Sequence, residues 1–181
     1  MRVIAGKHRR RLLTEVNSKS TREIKDRVKE AIFNSAGPYF EDYTVLDLFA
    51  GSGALGIEAV SRGAKKAVFI DNFYLAVKTI KHNISTLGIE DICYVYKTEY
   101  HDFLYKTEDK FYLIFLDPPY TMEEIDQIIA IISDRKILSD KGIIVCLYEK
   151  KNSIKEKNND IIEYKQKKIG ITKVSFMKWG I

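Results

Sequence analysis

The 181-residue chain holds only two cysteines, three histidines, three prolines and one tryptophan. Cys93 and Cys146 both fall in apolar stretches that read as strands, so they are expected as buried free thiols in a reducing compartment. His8, His82 and His101 share no ligand spacing with them, and no metal site is expected. No apolar run is long enough to span a bilayer, and no apolar signal region follows the basic N-terminus, so a cytoplasmic location is expected. Acidic residues are outnumbered in the first thirty residues. Residues 1–30 carry ten Lys or Arg against four Asp or Glu, while the other 151 carry 20 basic and 21 acidic groups. The net charge of +5 therefore belongs to an N-terminal arm. Such an arm suits a polyanion, nucleic acid above all, although a merely solvated basic tail has the same composition.

What is present in quantity is a 45% hydrophobic, 30% charged composition, enough for one domain with a substantial core. The chain is organised around Val45-Leu46-Asp47-Leu48-Phe49-Ala50-Gly51-Ser52-Gly53-Ala54-Leu55-Gly56. Residues 45–49 are nearly all apolar, as in a strand buried on both faces of a parallel sheet. Gly51 and Gly53 permit a sharp turn, and a short helix begins at Ala54 with its free N–H groups facing the turn. Gly51, Gly53 and Gly56 fit G-x-G-x-x-G, and Asp71 lies twenty residues after Gly51, where an acid can hold ribose hydroxyls. The motif is permissive, and a tight strand-to-helix turn without a ligand would also satisfy it.

In chain order, residues 1–13 read as an extended arm or small hairpin with basic side chains outward, and 14–20 as a polar linker. A helix is expected from Ile24 to Ala36, stopped by Gly37-Pro38. Strands are expected at 67–70, 92–96, 111–116 and 142–148, with helices at 74–87 and 122–132. Glu99 is expected in a loop beyond the third strand, and residues 150–160 form a Lys/Asn-rich connector. Residues 161–169 and 171–179 read as a strand pair around Gly170. The whole is an α/β, Rossmann-like, seven-stranded, mostly parallel sheet with helices on both faces and a basic N-terminal arm. Residues 1–20 form arm and linker, and 21–181 one domain without repeats.

Two features favour S-adenosylmethionine over a nicotinamide cofactor. Asp47 stands within a strand, where its carboxylate can meet a cationic aminoacyl tail. Asp117-Pro118-Pro119-Tyr120 follows the buried-strand pattern at 111–116, and a strand ending this way resembles enzymes that methylate exocyclic amines of bases. The chain further resembles the bacterial 16S ribosomal RNA guanine-N2 methyltransferases. The matching pieces are Ile4-Ala5-Gly6-Lys7, Asp26-Arg27-Val28-Lys29-Glu30-Ala31-Ile32-Phe33-Asn34, the glycine turn with Ala54 to Ala59, and Asp117 to Tyr120. Where that family shows R-P-T-x-D-R-V, this chain has Arg22-Glu23-Ile24-Lys25-Asp26-Arg27-Val28, without the Pro and Thr.

The resemblance implies a methyltransferase acting on guanine-966 of 16S ribosomal RNA with S-adenosylmethionine, working as a monomer on a small-subunit assembly particle and away from membranes. Asp47, Ala50, Gly51, Ser52 and Gly53 are then expected near the aminoacyl tail, Asp71 at the ribose, and Asn72, Phe73 and Glu99 near the adenine, although Phe73 suits a core position equally. Asp117, Pro118, Pro119 and Tyr120 are the expected catalytic turn, and Lys7, Arg9, Arg10, Arg11, Arg22 and Arg27 the expected RNA contacts. An adenine-N6 methyltransferase of DNA or RNA uses the same turn, usually with Asn first. A NAD-dependent oxidoreductase would leave the D-P-P-Y turn and the basic arm unexplained. An RNA-binding module with a vestigial pocket would have no use for Asp71 and Asp117.

Overall fold

The computed structural model describes residues 1–19, 22–119, 122–149 and 160–180. Tyr120 and the 150–159 part of the connector lie outside the described residues. Alternation of apolar side chains within each strand sets the layering. Strands β1 (Thr44–Asp47), β2 (Lys66–Asp71), β3 (Cys93–Lys97), β4 (Phe111–Leu116), β5 (Leu138–Glu149), β6 (Ile161–Ile169) and β7 (Thr172–Trp179) form one sheet in the order β3-β2-β1-β4-β5-β7-β6. The first five strands run parallel, and β7 lies antiparallel between β5 and β6.

Val45, Ala67, Phe69, Leu113 and Phe115 face α1 (Asp26–Ala36), α2 (Ala54–Ser61) and α3 (Tyr74–Leu87). Leu46, Val68, Ile70, Ile114 and Leu116 face α4 (Tyr100–Lys106) and α5 (Met122–Asp134). Two apolar layers thus explain why these strands are apolar at successive positions. Cys93 and Cys146 are buried free thiols, and burial raises both above the ordinary thiol range. Among the described residues, no helix is long and apolar enough to cross a membrane.

Several boundaries differ from the sequence expectation. β1 ends at Asp47 rather than at residue 49, because the backbone already turns while Leu48 N–H donates to Phe115 O and Ala50 N–H to Ile70 O. α1 starts at Asp26, with Ile24 and Lys25 in extended chain before it. Ile92 belongs to a 3-10 turn ahead of β3, and β5 begins four residues before Gly142. Helix α4 was not expected. It has seven residues and buries only Leu104, so it carries no readable apolar period.

The first thirteen residues pack on the body of the molecule. Val3 N–H donates to Arg11 O, Leu13 N–H to Met1 O, and Arg2 and Leu12 form one antiparallel bridge. Val3 and Leu13 are buried. Ile4 and Ala5 donate their N–H groups to the two oxygens of Glu58 at 2.9 and 3.0 Å. Ser61 Oγ donates to Ala5 O, while His8 N–H donates to Ser61 Oγ. Gly6 crosses directly over the end of α2 with φ of +83°, and a Cβ there would lie 1.8 Å from Ser61 O. Ile4-Ala5-Gly6-Lys7 is therefore a docking strip against α2.

Glu58 is the hub of this dock. Fully buried, it accepts from Arg62 Nε at 2.9 Å and lies 3.7 Å from Nζ of the equally buried Lys29. Lys29 also donates to Arg2 O, and burial lowers its pKa against the pull of Glu58 and Asp26. The Arg62 guanidinium rests 4.6 Å from the Phe33 ring centroid. Removing one member of such a cluster strands a buried charge, which costs far more than losing a surface pair. Glu58→Ala is expected to lower unfolding stability by about 3–5 kcal/mol in urea titration; a loss under ~1 kcal/mol would show that the cluster does not hold the segment.

Candidate functional site

In a parallel sheet the chain leaves every strand on the same side, and loops there form a crevice where neighbouring connections diverge to opposite faces. Here the divergence falls between β1 and β4, and a cleft of about 850 Å³ opens beside it. Asp47 ends β1, Asp71 ends β2, Asp117 follows β4 and Glu149 ends β5, so four carboxylates enter one cleft.

The glycine turn is held by two of them. Gly51 and Gly53 have φ of +57° and +82°, a region that ordinary side chains disfavour. Gly51 N–H donates to Asp71 Oδ2 at 2.9 Å, and Gly56 N–H donates to Asp47 Oδ2 at 3.0 Å. Gly56 is required for a different reason: a Cβ there would lie 2.4 Å from the Phe69 ring, so only glycine lets α2 approach β2. Asp71 Oδ1 accepts from Phe73 N–H at 2.9 Å. Each carboxylate oxygen has a second lone pair, which leaves Asp71 able to accept two ligand hydroxyls.

Asp47 is buried, and that burial pushes its pKa up to about 7 against the help of the Gly56 N–H; Asp117 and Asp71 add to the rise. It lines the cleft and at the same time braces the turn from below. Ala50, Gly51 and Ser52 line the cleft as well, whereas Gly53 turns inward toward Ile57 and Ile80. Asn72 Nδ2 donates to Glu99 Oε1 at 3.0 Å across the ends of β2 and β3. Phe73 is exposed and lines the cleft, so its place is the cleft wall and not the core.

Asp117, Pro118 and Pro119 occupy the other side of the cleft, and Tyr120 lies outside the described residues. Asp117 opens to the cleft but is otherwise surrounded by protein. That loss of hydration raises its carboxyl to about 6, with the Arg22 guanidinium pulling it down and Glu23 pushing it up. Arg22 and Arg27 line the cleft together with Lys25. Lys7, Arg9, Arg10 and Arg11 are not among the lining residues. Their turn docks on Ser61, at the far end of α2, and Arg11 donates to Thr86 O near the end of α3. Eight helical residues separate that dock from the glycine turn by about 12 Å.

Two residues that sequence reasoning passed over join the segment before α1 to the glycine turn. Glu23, standing where the resembling family has Pro, accepts from Val16 N–H through one oxygen and from Ser52 Oγ through the other, at 2.9 and 2.8 Å. Buried Asn83 of α3 accepts from Thr14 N–H and donates to both Thr14 O and Ser52 O. A polar residue on the apolar face of α3 was the available signal. The hairpin tip at Ile169, Gly170, Ile171 and Thr172 also borders the cleft.

This arrangement fits S-adenosylmethionine. The acidic floor suits its sulfonium and ammonium charges, Asp71 retains lone pairs that hydroxyls could use, and the Phe73 ring and the Asn72–Glu99 pair border the same cleft.

The family model described as conserved hypothetical protein 95 matches residues 1–178. The chain is 39% identical over 181 residues to YlbH of Bacillus subtilis, covering 98% of each protein; that name assigns YlbH provisionally to the rRNA methyltransferases. It is 34% identical to the ribosomal RNA small subunit methyltransferase D of Haemophilus influenzae, over 91% of this chain and 92% of that one. Among solved structures, the Escherichia coli protein yhhF, provisionally named a methyltransferase, superimposes with a TM-score of 0.89 at 29% identity, covering 99% and 98% of the two chains. A Haemophilus influenzae methylase structure, likewise provisionally named, gives 0.83 at 31% identity, over 99% and 98%. The fold is that of the Rossmann-like S-adenosylmethionine-dependent methyltransferases, and the chain belongs to the conserved hypothetical protein 95 family, in company with the small-subunit ribosomal RNA methyltransferases D.

Proposed function

We propose that this protein methylates the exocyclic N2 of a guanine in small-subunit ribosomal RNA, guanine-966 of the 16S molecule, using S-adenosylmethionine. The observation that carries the reading is the cleft itself. Acidic residues around Asp71, the Asp117-Pro118-Pro119 turn and the basic Arg22, Lys25 and Arg27 all line one cleft. The names of the relatives from Haemophilus influenzae and Escherichia coli, ribosomal RNA small subunit methyltransferase D, support the acceptor class. Asp rather than Asn at the head of the turn favours guanine N2 over adenine N6.

Bound in this cleft, S-adenosylmethionine supplies an electrophilic methyl on sulfur. The chain's own residues must make the guanine amine a better nucleophile, because its lone pair is delocalised into the ring. Asp117 accepts one N–H of that amine, and the Pro118 carbonyl accepts the other. Two consecutive prolines restrict the backbone there, so both acceptors are set before the base arrives. Each contact strengthens as the nitrogen gains positive charge, which favours the transition state over the ground state. Asp117 then holds the released proton, a role suited to a carboxyl raised to about 6. Arg22 and Arg27 bind phosphates at the entrance, and Tyr120 stacks on the unstacked base.

Four measurements test this reading. Isothermal calorimetry should show S-adenosylmethionine binding and no NAD binding. Asp71→Ala should weaken the former by about 1.5–3 kcal/mol, since it removes charged acceptors for the ligand and for Gly51 N–H; unchanged affinity would remove Asp71 from the cofactor site. Asp117→Ala should leave cofactor affinity nearly intact and lower turnover about a hundredfold or more. Full activity in that variant would contradict the mechanism.

The pH profile follows from the same carboxyl. The active form is the carboxylate, so kcat/KM should be full above the folded-state value near 6 and fall as pH drops through it. Asp117→Asn should lose that acidic limb, and persistence of the limb would assign it to another group. Finally, tritiated methyl donor should label small-subunit ribosomal RNA, naked or in particles, and leave duplex DNA unlabelled. Preferential labelling of DNA would overturn the assignment.

A further inference from the structure

The β6–β7 hairpin carries a feature that the site described so far does not use. Residues 161–181 hold five lysines against Glu163 alone, while residues 31–160 hold 15 basic and 20 acidic groups. This second basic segment is masked when charge is summed over the chain beyond residue 30. Its position is specific. Lys168 and Lys173 stand directly opposite each other across the two strands, one step behind the Ile169–Thr172 pair that borders the cleft. The pair concentrates positive charge beside the cleft, a potential that favours a polyanion there. Lys165 and Lys167 occupy the opposite face of β6, in register with Phe176 and Val174.

Aromatic rings steady several of these cations. Lys165 Nζ lies 5.8 Å from the Phe176 ring centroid, Lys173 Nζ 5.9 Å from that of Tyr148, and Lys178 Nζ 5.1 Å from that of Tyr164. Among the described residues, no ion pair engages Lys165, Lys167, Lys168 or Lys178. At the tip, Ile171 is 61% exposed beside the cleft. An exposed branched apolar side chain amid lysines suits an unstacked base flanked by phosphates.

We infer that the β6–β7 hairpin is an RNA-gripping element that holds the acceptor strand across the cleft entrance, with Lys165, Lys167, Lys168 and Lys173 on phosphates and Ile171 against a base. The inference rests on the proposed RNA methyltransferase function and gives the acceptor strand a second basic contact on the cleft that Arg22, Lys25 and Arg27 also line. Lysines on an edge strand also discourage pairing with other sheets. That role accounts for β6 but not for Lys173, which lies on the interior strand β7, nor for an apolar tip at the cleft.

The test compares full-length proteins binding a fluorescent single-stranded RNA oligonucleotide over a range of salt concentrations. One variant replaces Lys165, Lys167, Lys168 and Lys173 together by Gln, which keeps the edge polar; a second replaces them by Arg. The Gln variant should bind about 10–100-fold more weakly at low salt, with the slope of log K against log salt flatter by up to about three, at about 0.7 per phosphate contact on a single strand. The Arg variant should retain both. Ile171→Ser should weaken binding severalfold with the slope unchanged, because it removes a base contact and no counterion release. Calorimetric S-adenosylmethionine affinity should be unaltered in all three.

A folded Gln variant that binds RNA like the wild type would overturn the inference while leaving the function intact. A wild-type protein with no salt-dependent RNA binding would overturn both. Gln and Arg variants that lose RNA binding equally, with cofactor affinity lost too, would show a merely structural role and also overturn it.

Discussion

Two carboxylates at the ends of adjacent parallel strands hold one glycine turn, and the rest of the site is built outward from them. Asp71 takes Gly51 N–H and Asp47 takes Gly56 N–H, so the turn is fixed at both ends. The positive φ at Gly51 and Gly53 lets the backbone make this turn, and the missing side chain at Gly56 lets α2 lie against Phe69. Since β1 lies between β2 and β4, the same strand end places this turn beside Asp117. Burial of Asp47 beside other acids is unfavourable in itself, and it appears as the raised pKa of Asp47, to which Asp117 and Asp71 contribute. A cleft whose floor carries that strain is well matched to a cationic ligand.

A second layer of polar contacts ties the start of the chain to this turn. Glu23 spans Val16 and Ser52, Asn83 spans Thr14 and Ser52, and Glu58 takes the N–H groups of Ile4 and Ala5. The N-terminal segment is thereby a part of the wall behind the turn. Its basic turn at residues 7–11 is carried to the far end of α2, whereas Arg22, Lys25 and Arg27 stay at the cleft.

Most strands were legible because burial on both faces leaves apolar residues at successive positions, as in Leu113-Ile114-Phe115-Leu116. The strand pair around Gly170 was legible from a single turn residue between two apolar segments. Helix α4 was not, since one buried leucine makes no pattern. The cleft residues of the glycine turn, Asp71 and Asp117 follow from local strand-turn-helix logic and were readable. Glu23 and Asn83 were not, because their partners lie 29 and 31 residues away at Ser52, and only the folded chain brings them together. The charge of the β6–β7 hairpin was not legible for a simpler reason: the acidic middle of the chain cancels it in any broad sum.

The central claim is that the Asp117 turn directs methyl transfer to the exocyclic nitrogen of guanine. The most direct measurement digests ribosomal RNA, methylated by the purified protein with an isotopically labelled donor, to nucleosides and identifies the labelled species by mass spectrometry. The account predicts label in N2-methylguanosine. Label in N6-methyladenosine, or at a ring nitrogen of guanine, would contradict it.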